Sequence, residues 1–195
     1  MSDKKFSIAL LHYPVYDKNR QIVTTAVTNL DIHDIARAAK TFGADRYYIV
    51  TPVAEQQKLV QKVLNHWQSG WGASYNPKRK LALDIVEVVP SLRSVVEDMI
   101  TRLGHAPKVI VTGASGRSAS ISGPELSEMV SRGEHSFLLL FGTGWGMTEE
   151  VFDSADFVLE PIKGSGDYNH LSVRSAVSIY LDRLFCRNQH ETRIA

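Results

Sequence analysis

A chain of 195 residues, 44% hydrophobic and 22% charged, carries enough apolar material for one well-filled core and is too ordinary in composition to be disordered. A formal net charge of +1 excludes bulk attraction to nucleic acid or membrane, so any basic surface must come from uneven distribution. The single cysteine, Cys186, excludes an internal disulfide framework, and no run reaches the roughly 20 apolar residues of a bilayer span, so one cytoplasmic domain over 1–195 is expected.

The opening MSDKKFSIALLHYP sets two lysines before an apolar run, but His12 and Pro14 break the run and no small-residue cleavage site follows. It is therefore not read as a signal peptide. FSIALLHY is a first strand. IHDIARAAKTF follows with Ile32, Ile35, Ala36, Ala39 and Phe42 on one helical face, Asp31 as N-cap and Gly43 as the stop. YYIVT is the next strand, and Pro52 opens a helix carrying Leu59, Val60, Val63, Leu64 and Trp67. LALDIVEVV reads as a third strand, and Ser91 caps a helix with Leu92, Val95, Val96, Met99, Ile100 and Leu103, ended by Gly104.

KVIVT is a fourth strand. Ser122 with Glu125 forms a capping box for a short helix through Val130. SFLLLF is a fifth strand, DFVLEP a sixth, and LSVRSAVSIYLDRLF the closing helix. Near-continuous apolar strands alternating with helices predict an α/β fold, a mostly parallel sheet with helices on both faces.

Two strands run into glycine loops: KVIVTGASGRSAS, from Lys108 to Ser120, and FLLLFGTGWGMTEE, from Phe137 to Glu150. Main-chain amides at such turns can hold phosphate, and glycine lets a ligand approach the backbone. VTGASG invites comparison with short-chain dehydrogenases, but it follows the fourth strand rather than the first. No tyrosine has a lysine four residues later, and a turn without any ligand is the plain alternative. FGTGWG holds the G-x-G-x-G of Rossmann-like methyltransferases, yet only one strand and two helices remain after it. GxxxxGK[ST] is absent.

The end of the chain, LLLFGTGWGMTEEVFDSADFVLEPIKGSGDYNHLSVRSAVSIYLDRL, reads as one unbroken order of motifs. A strand with its glycine loop is followed by a short helix, a strand ending in Pro161, a Gly-Ser-Gly loop and a helix. This order resembles the SPOUT class of S-adenosylmethionine-dependent RNA methyltransferases. Within that class it is similar to the bacterial group that resembles the C-terminal part of tRNA guanine-N1 methyltransferase. IVTTAVTNLDIHDIARAAKTFG, from Ile22 to Gly43, carries the same resemblance, which covers essentially the whole chain.

The resemblance implies a C-terminal deep trefoil knot, S-adenosylmethionine as cofactor, tRNA or rRNA as substrate, and a homodimer sharing its sites. It also implies one cofactor pocket for both glycine loops. Thr112, Gly113 and Ala114 would form its first wall, and Phe141, Gly142, Thr143, Gly144 and Gly146 the second. Leu159, Glu160, Pro161, Ile162 and Gly164, with Tyr168, Asn169, His170 and Leu171, would close it. Many SPOUT enzymes open the last helix with Ser-Leu-Asn, whereas this chain has HLSVR, with His170 and Ser172 at the corresponding places.

His33, Arg37 and Lys40 recur at i, i+4, i+7, which by spacing alone is a solvated helix face. The resemblance assigns Arg37, with Asn29, to an active site completed across the dimer. Asp167 in GSGDYN is a candidate base, or a turn residue satisfying local amides. HWQSGWGASYNPKRK, His66 to Lys80, interleaves Trp71 and Tyr75 with Lys78, Arg79 and Lys80, a composition suited to RNA or to a plain basic loop. The seven histidines show no zinc spacing, and no metal or membrane is implied. The alternatives are an NAD-dependent oxidoreductase of Rossmann type and a non-catalytic cofactor- or RNA-binding module.

Overall fold

The computed structural model describes residues 6–114 and 120–186. In chain order the elements are β1 (Phe6–Leu11), β2 (Val15–Tyr16), β3 (Ile22–Val23), α1 (Asn29–Thr41), β4 (Tyr47–Val50), α2 (Ala54–Gln68), α3 (Trp71–Tyr75) and α4 (Pro77–Leu83). There follow β5 (Val86–Val89), α5 (Leu92–Leu103), β6 (Lys108–Val111), α6 (Gly123–Arg132), β7 (Phe137–Gly142), α7 (Glu149–Asp153), β8 (Phe157–Val158) and α8 (Val173–Phe185).

Six strands form one parallel sheet in the order β5-β4-β1-β7-β6-β8. Alternation along each strand sorts side chains onto two faces. Phe6, Ile8 and Leu10 of β1, with Phe137, Leu139 and Phe141 of β7, meet Ile32 and Ile35 of α1, Val60 of α2, Leu126 of α6 and Leu181 of α8. Ala9 and Leu11, with Leu138 and Leu140, meet Val95 and Met99 of α5 and Val151 of α7. Both faces are therefore covered, as the apolar strands require.

The chain lays β4 and β5 on one side of β1, crosses over to β6, and then inserts β7 between β1 and β6. The strand order reverses there, so the loops leaving β1, β6 and β7 open a crevice at the carboxyl ends of the strands. That is where ligands of open α/β sheets bind. Residues 115–119 of the first glycine loop, Gly116 among them, lie outside the described residues.

Several local expectations hold for the stated reasons. Ser91 caps α5, Gly104 ends it at φ 80°, and Ser122 and Glu125 make the full capping box of α6. Three boundaries differ. Thr28, not Asp31, caps α1; its hydroxyl oxygen accepts the Asp31 amide, leaving Asp31 inside the first turn. Residues 81–83 of the expected third strand close α4 instead, because the Asn76 side chain caps that helix and Pro77 stands at its start. The sixth strand is reduced to Phe157–Val158; the Leu159 amide still donates to Val111 of β6, but the Glu160 amide donates to Ile121, outside that strand. The β2–β3 hairpin was not expected; the Asp17 carboxylate accepts the amides of Asn19 and Gln21 and closes its turn.

Candidate active site

At the crevice, the ends of β6 and β7 with their loops, the segment from β3 into α1 and the loop before α8 surround one cavity of about 890 Å³. Its first wall is Thr112, Gly113 and Ala114, following β6. Thr112 is held by both its amide (3.1 Å) and its hydroxyl (2.8 Å), which donate to the Leu140 carbonyl. The second wall is Phe141 to Met147, which includes Gly142, Thr143, Gly144 and Gly146.

The hairpin clasps that second wall. The Trp145 amide donates to the Tyr16 carbonyl (2.9 Å), and the Tyr16 amide donates to the Gly146 carbonyl (2.8 Å). This clasp explains Gly144, which sits at φ 58° with Tyr16's carbonyl oxygen 2.9 Å from where a Cβ would stand. The glycine is therefore required by the hairpin packed on the loop, before any ligand is considered. Gly142 is similarly hemmed in by Met147, whose Cγ would lie 2.6 Å from a Cβ.

Ile162, Asn169, His170 and Leu171 form the third wall. Leu159, Glu160, Pro161, Gly164 and Tyr168 do not line the cavity. Leu159 is buried in the core, its amide donating to Val111. Glu160 is engaged by the sheet and helices: its carboxylate accepts the Gly123 amide (2.8 Å) and its carbonyl accepts the Tyr180 hydroxyl (2.8 Å). Burial pushes the Tyr180 phenol up to about 12, so that hydroxyl keeps its proton and remains a donor. Tyr168 is 80% exposed, with its ring against His170.

Among the three proposed catalytic residues, none lines the cavity of its own chain. Arg37 and Asn29 are exposed on α1, and Asp167 is exposed in the loop ahead of Asn169. What the cavity holds instead is a polar end built from Thr25, Thr28, Asp31 and Arg174. Asp31 is 4% exposed; Oδ1 accepts from Nη1 of Arg174 (2.9 Å) and Oδ2 from the Thr28 hydroxyl (2.5 Å). The buried Tyr47 hydroxyl donates to the Asp31 carbonyl (3.3 Å), anchoring this turn of α1 to β4. The sequence reading missed Asp31 and Arg174 as site residues. One signal was available: Asp31 lies four residues before Ile35, on the stripe that faces the core.

Behind Thr143 runs a second polar chain. Its hydroxyl donates to the Leu11 carbonyl (3.0 Å), the Thr25 hydroxyl lies 2.5 Å away, and His12 Nδ1 lies 3.0 Å beyond Thr25. With Thr143's proton on Leu11, Thr25 must donate to Thr143 and His12 must donate from Nδ1, which leaves its buried Nε2 bare and without a partner among the described residues. Burial lowers the His12 pKa to about 4, although Asp31 pulls the other way.

The two basic motifs of the sequence also meet. His33 of α1 stands edge-on to Trp67, and the Arg79 guanidinium lies over the same indole at 4.7 Å. Burial, then Arg79, lowers the His33 pKa. Trp71 and Tyr75 stack on each other with ring centroids 4.7 Å apart, yet are 69% and 70% exposed. Among the described residues no His, Cys, Asp and Glu side chains cluster as a metal site, and no helix is long and apolar enough to cross a membrane.

The cavity suits S-adenosylmethionine. Phe141, Ile162 and Leu171 offer apolar surface for an adenine, and the glycine-rich second wall exposes main chain to its edge. Comparison with known proteins agrees. Residues 5–186 match a family described as SAM-dependent RNA methyltransferase. A protein of Aquifex aeolicus is 39% identical over 189 residues, covering 97% of this chain and 92% of its own. The tRNA (guanine-N(1)-)-methyltransferase of Oleidesulfovibrio alaskensis is 44% identical over 176 residues, covering 90% of this chain but 41% of its own length. This chain therefore spans about two fifths of that relative. The SpoU methyltransferase AviRb of Streptomyces viridochromogenes, in complex with the cofactor AdoMet, shares the fold over 95% of this chain and 58% of its own, at 15% identity and a TM-score of 0.57. The A. aeolicus TrmH/SpoU tRNA modifying enzyme does so over 94% and 74%, at 16% identity and a TM-score of 0.55. The family match decides against the oxidoreductase alternative.

Proposed function

The chain belongs to the SAM-dependent RNA methyltransferase family, and on that premise we propose that it methylates tRNA in the cytoplasm as a two-fold dimer. The observation that carries the reading is the convergence of the loops after β6, β7 and β8 on one cavity of about 890 Å³. Bound there, S-adenosylmethionine supplies an electrophilic methyl group on a positively charged sulfur.

The chain's own residues bind and orient. Thr112 to Ala114 and Phe141 to Gly146 give two rigid walls, one fixed to the sheet through Leu140 and the other clasped by the hairpin. Asn169 to Leu171 close the third side. Arg37 and Asn29 act on the partner subunit's site, a role supported by their exposure on α1 away from their own cavity. Asp167 takes the proton where the acceptor atom carries one; its support is its place in the loop that leads into the third wall.

Calorimetry with S-adenosylmethionine, its demethylated product and NAD tests the site. Binding of the first two and not the third is expected. NAD binding in place of S-adenosylmethionine would remove the reading. Sedimentation showing only monomer at micromolar concentration would remove the trans role of Arg37.

A further inference from the structure

Away from the cofactor cavity, α2, α3 and α4 carry charge of one sign. From Gln56 to Leu83 the chain has no Asp or Glu, yet Lys58, Lys62, Lys78, Arg79 and Lys80 fall there, in a chain whose formal net charge is +1. Lys58 and Lys80 are paired, with Glu55 and Asp84, whereas Lys62 and Lys78 are exposed with no ion pair among the described residues. Between these cations in sequence, Trp71 and Tyr75 lie one turn apart on α3. Their rings stack with centroids 4.7 Å apart and planes 20° from parallel, yet they stay 69% and 70% exposed. The frame beneath them is rigid. Gly70 and Gly72 let α3 lie flush on the end of α2: a Cβ at Gly70 would stand 2.7 Å from the His66 carbonyl oxygen, and one at Gly72 2.8 Å from the Trp67 ring. Asn76 ends α3 with its amide on Gly72 and caps α4 with its side chain. The Gln68 side-chain amide donates to the Leu83 carbonyl (2.9 Å), tying the end of α2 to that of α4.

We propose that this surface docks unpaired RNA, separately from the cofactor cavity, with Trp71 and Tyr75 stacking on a base and Lys62 and Lys78 meeting flanking phosphates; the proposal rests on the RNA methyltransferase reading. Burial does not account for the aromatic pair, because two large rings left this open add little to the core. Stacked on each other, they shield their inner faces and leave the outer ones to a further flat ring, which a base supplies. Every base has such a face, so the site takes single strands whatever their sequence, whereas bases inside a duplex are already stacked. Lys78 follows Tyr75 by three residues, and Lys62 lies one turn before His66, against which Gly72 packs. A segment without carboxylates suits a polyanion. It opposes a two-fold contact with a second copy, which would set like charges against each other. Finally, α4 packs against α1, where His33 and Arg79 meet on the Trp67 ring. RNA held here is thereby anchored to the helix that carries Arg37 without entering the cavity.

The test separates single strands from duplexes and the surface from the cavity. The probes are a fluorescein-labelled adenylate RNA of about 12 nucleotides, the same strand annealed to uridylate, and vesicles of phosphatidylcholine with phosphatidylserine. Each is titrated with the wild-type protein, Trp71→Ala/Tyr75→Ala, Trp71→Phe/Tyr75→Phe and Lys62→Gln/Lys78→Gln. S-adenosylmethionine affinity, molecular mass and methyl transfer to total RNA from cells lacking this protein are measured alongside. The alanine pair should weaken single-strand binding at least about tenfold and duplex binding less than about twofold, with cofactor affinity and mass unchanged. The phenylalanine pair should restore most of the loss, because its rings still stack. The glutamine pair should lower the salt slope of single-strand binding by roughly 1.4, at about 0.7 for each phosphate contact. Single-strand binding within about twofold of wild type in the alanine pair, an equal loss on the duplex, or an unchanged slope in the glutamine pair would overturn the proposal. So would lost vesicle binding at unchanged RNA affinity, which marks a membrane surface, or a fall in mass, which marks a contact between copies. No methyl transfer by the wild-type protein, with cofactor bound, would instead remove the RNA methyltransferase reading, and this proposal with it.

Discussion

Nη1 of Arg174, in the first turn of α8, donates to Oδ1 of Asp31, in the first turn of α1, over 2.9 Å and 143 residues of sequence. The bond ties the closing helix to the helix after β1 at the polar end of the cofactor cavity. Asp31→Ala would leave the guanidinium and the Thr28 hydroxyl without their acceptor. Loss of a fully buried pair costs about 3–5 kcal/mol, but water can reach part of Arg174, so about 1–3 kcal/mol is expected. Thermal unfolding should fall by roughly 2–4 °C for each kcal/mol lost, and Asp31→Asn should recover part of it by still accepting from Thr28. An Asp31→Ala melting temperature equal to wild type would contradict the pairing.

His12 gives a pH dependence. Its folded pKa, about 4 against an ordinary 6.5, means the folded state refuses a proton that the unfolded chain accepts. The associated stability is fully present above pH 6.5 and is lost as pH falls toward 4, to a total of about 3 kcal/mol. His12→Asn, which can still meet Thr25, should show a shallower decline between pH 7 and 5 in urea titrations. Parallel curves for the two proteins would rule out His12 as the buried titrating group.

Gly144→Val tests the clasp between hairpin and glycine loop. A branched side chain at φ 58°, with Tyr16's carbonyl 2.9 Å from the Cβ position, should cost about 1–3 kcal/mol and also loosen cofactor binding, because the second wall must shift. Cofactor loss with an unchanged melting temperature would mean that the glycine serves the ligand directly.

The cavity walls and the sheet were largely legible in the sequence, because apolar strands and helix caps act through neighbouring residues. Ser91, Gly104, Ser122 and Glu125 did in space what their spacing indicated. Residues 81–83 misled because an apolar run can join a helix or a strand, and only the Asn76 cap upstream decides. The polar end of the site was not legible: Asp31 and Arg174 meet only after the whole sheet has formed between them. Gly144 was readable as essential but for a different neighbour, since the hairpin that crowds it gives little signal in a stretch as short as Val15–Val23.

The stacked pair Trp71 and Tyr75 is too exposed to support the core, so Trp71→Ala with Tyr75→Ala should leave stability within about 0.5 kcal/mol of wild type. As a platform for bases it should contribute roughly 1–3 kcal/mol for each base stacked. Filter binding to the RNA substrate should therefore weaken about tenfold or more. Unchanged RNA affinity would leave the pair as ordinary surface.

Arg37→Ala should fold, bind cofactor and lose methyl transfer about ten- to hundredfold, the scale of one charged hydrogen bond, and Arg37→Lys should restore little. Mixing Arg37→Ala subunits with Leu171→Trp subunits, whose own cavity is filled, should recover one working site per mixed dimer. No recovery, with subunit exchange confirmed, would confine Arg37 to its own subunit or remove it from the reaction.

The most direct measurement follows the methyl group itself. The protein is incubated with methyl-labelled S-adenosylmethionine and total RNA from cells lacking it, and the RNA is separated by size and digested to nucleosides. The account predicts label in the tRNA fraction, on one nucleoside, abolished by nuclease treatment before incubation. Label that stays with the cofactor while the protein binds it tightly would contradict the account and leave a cofactor-binding module in its place.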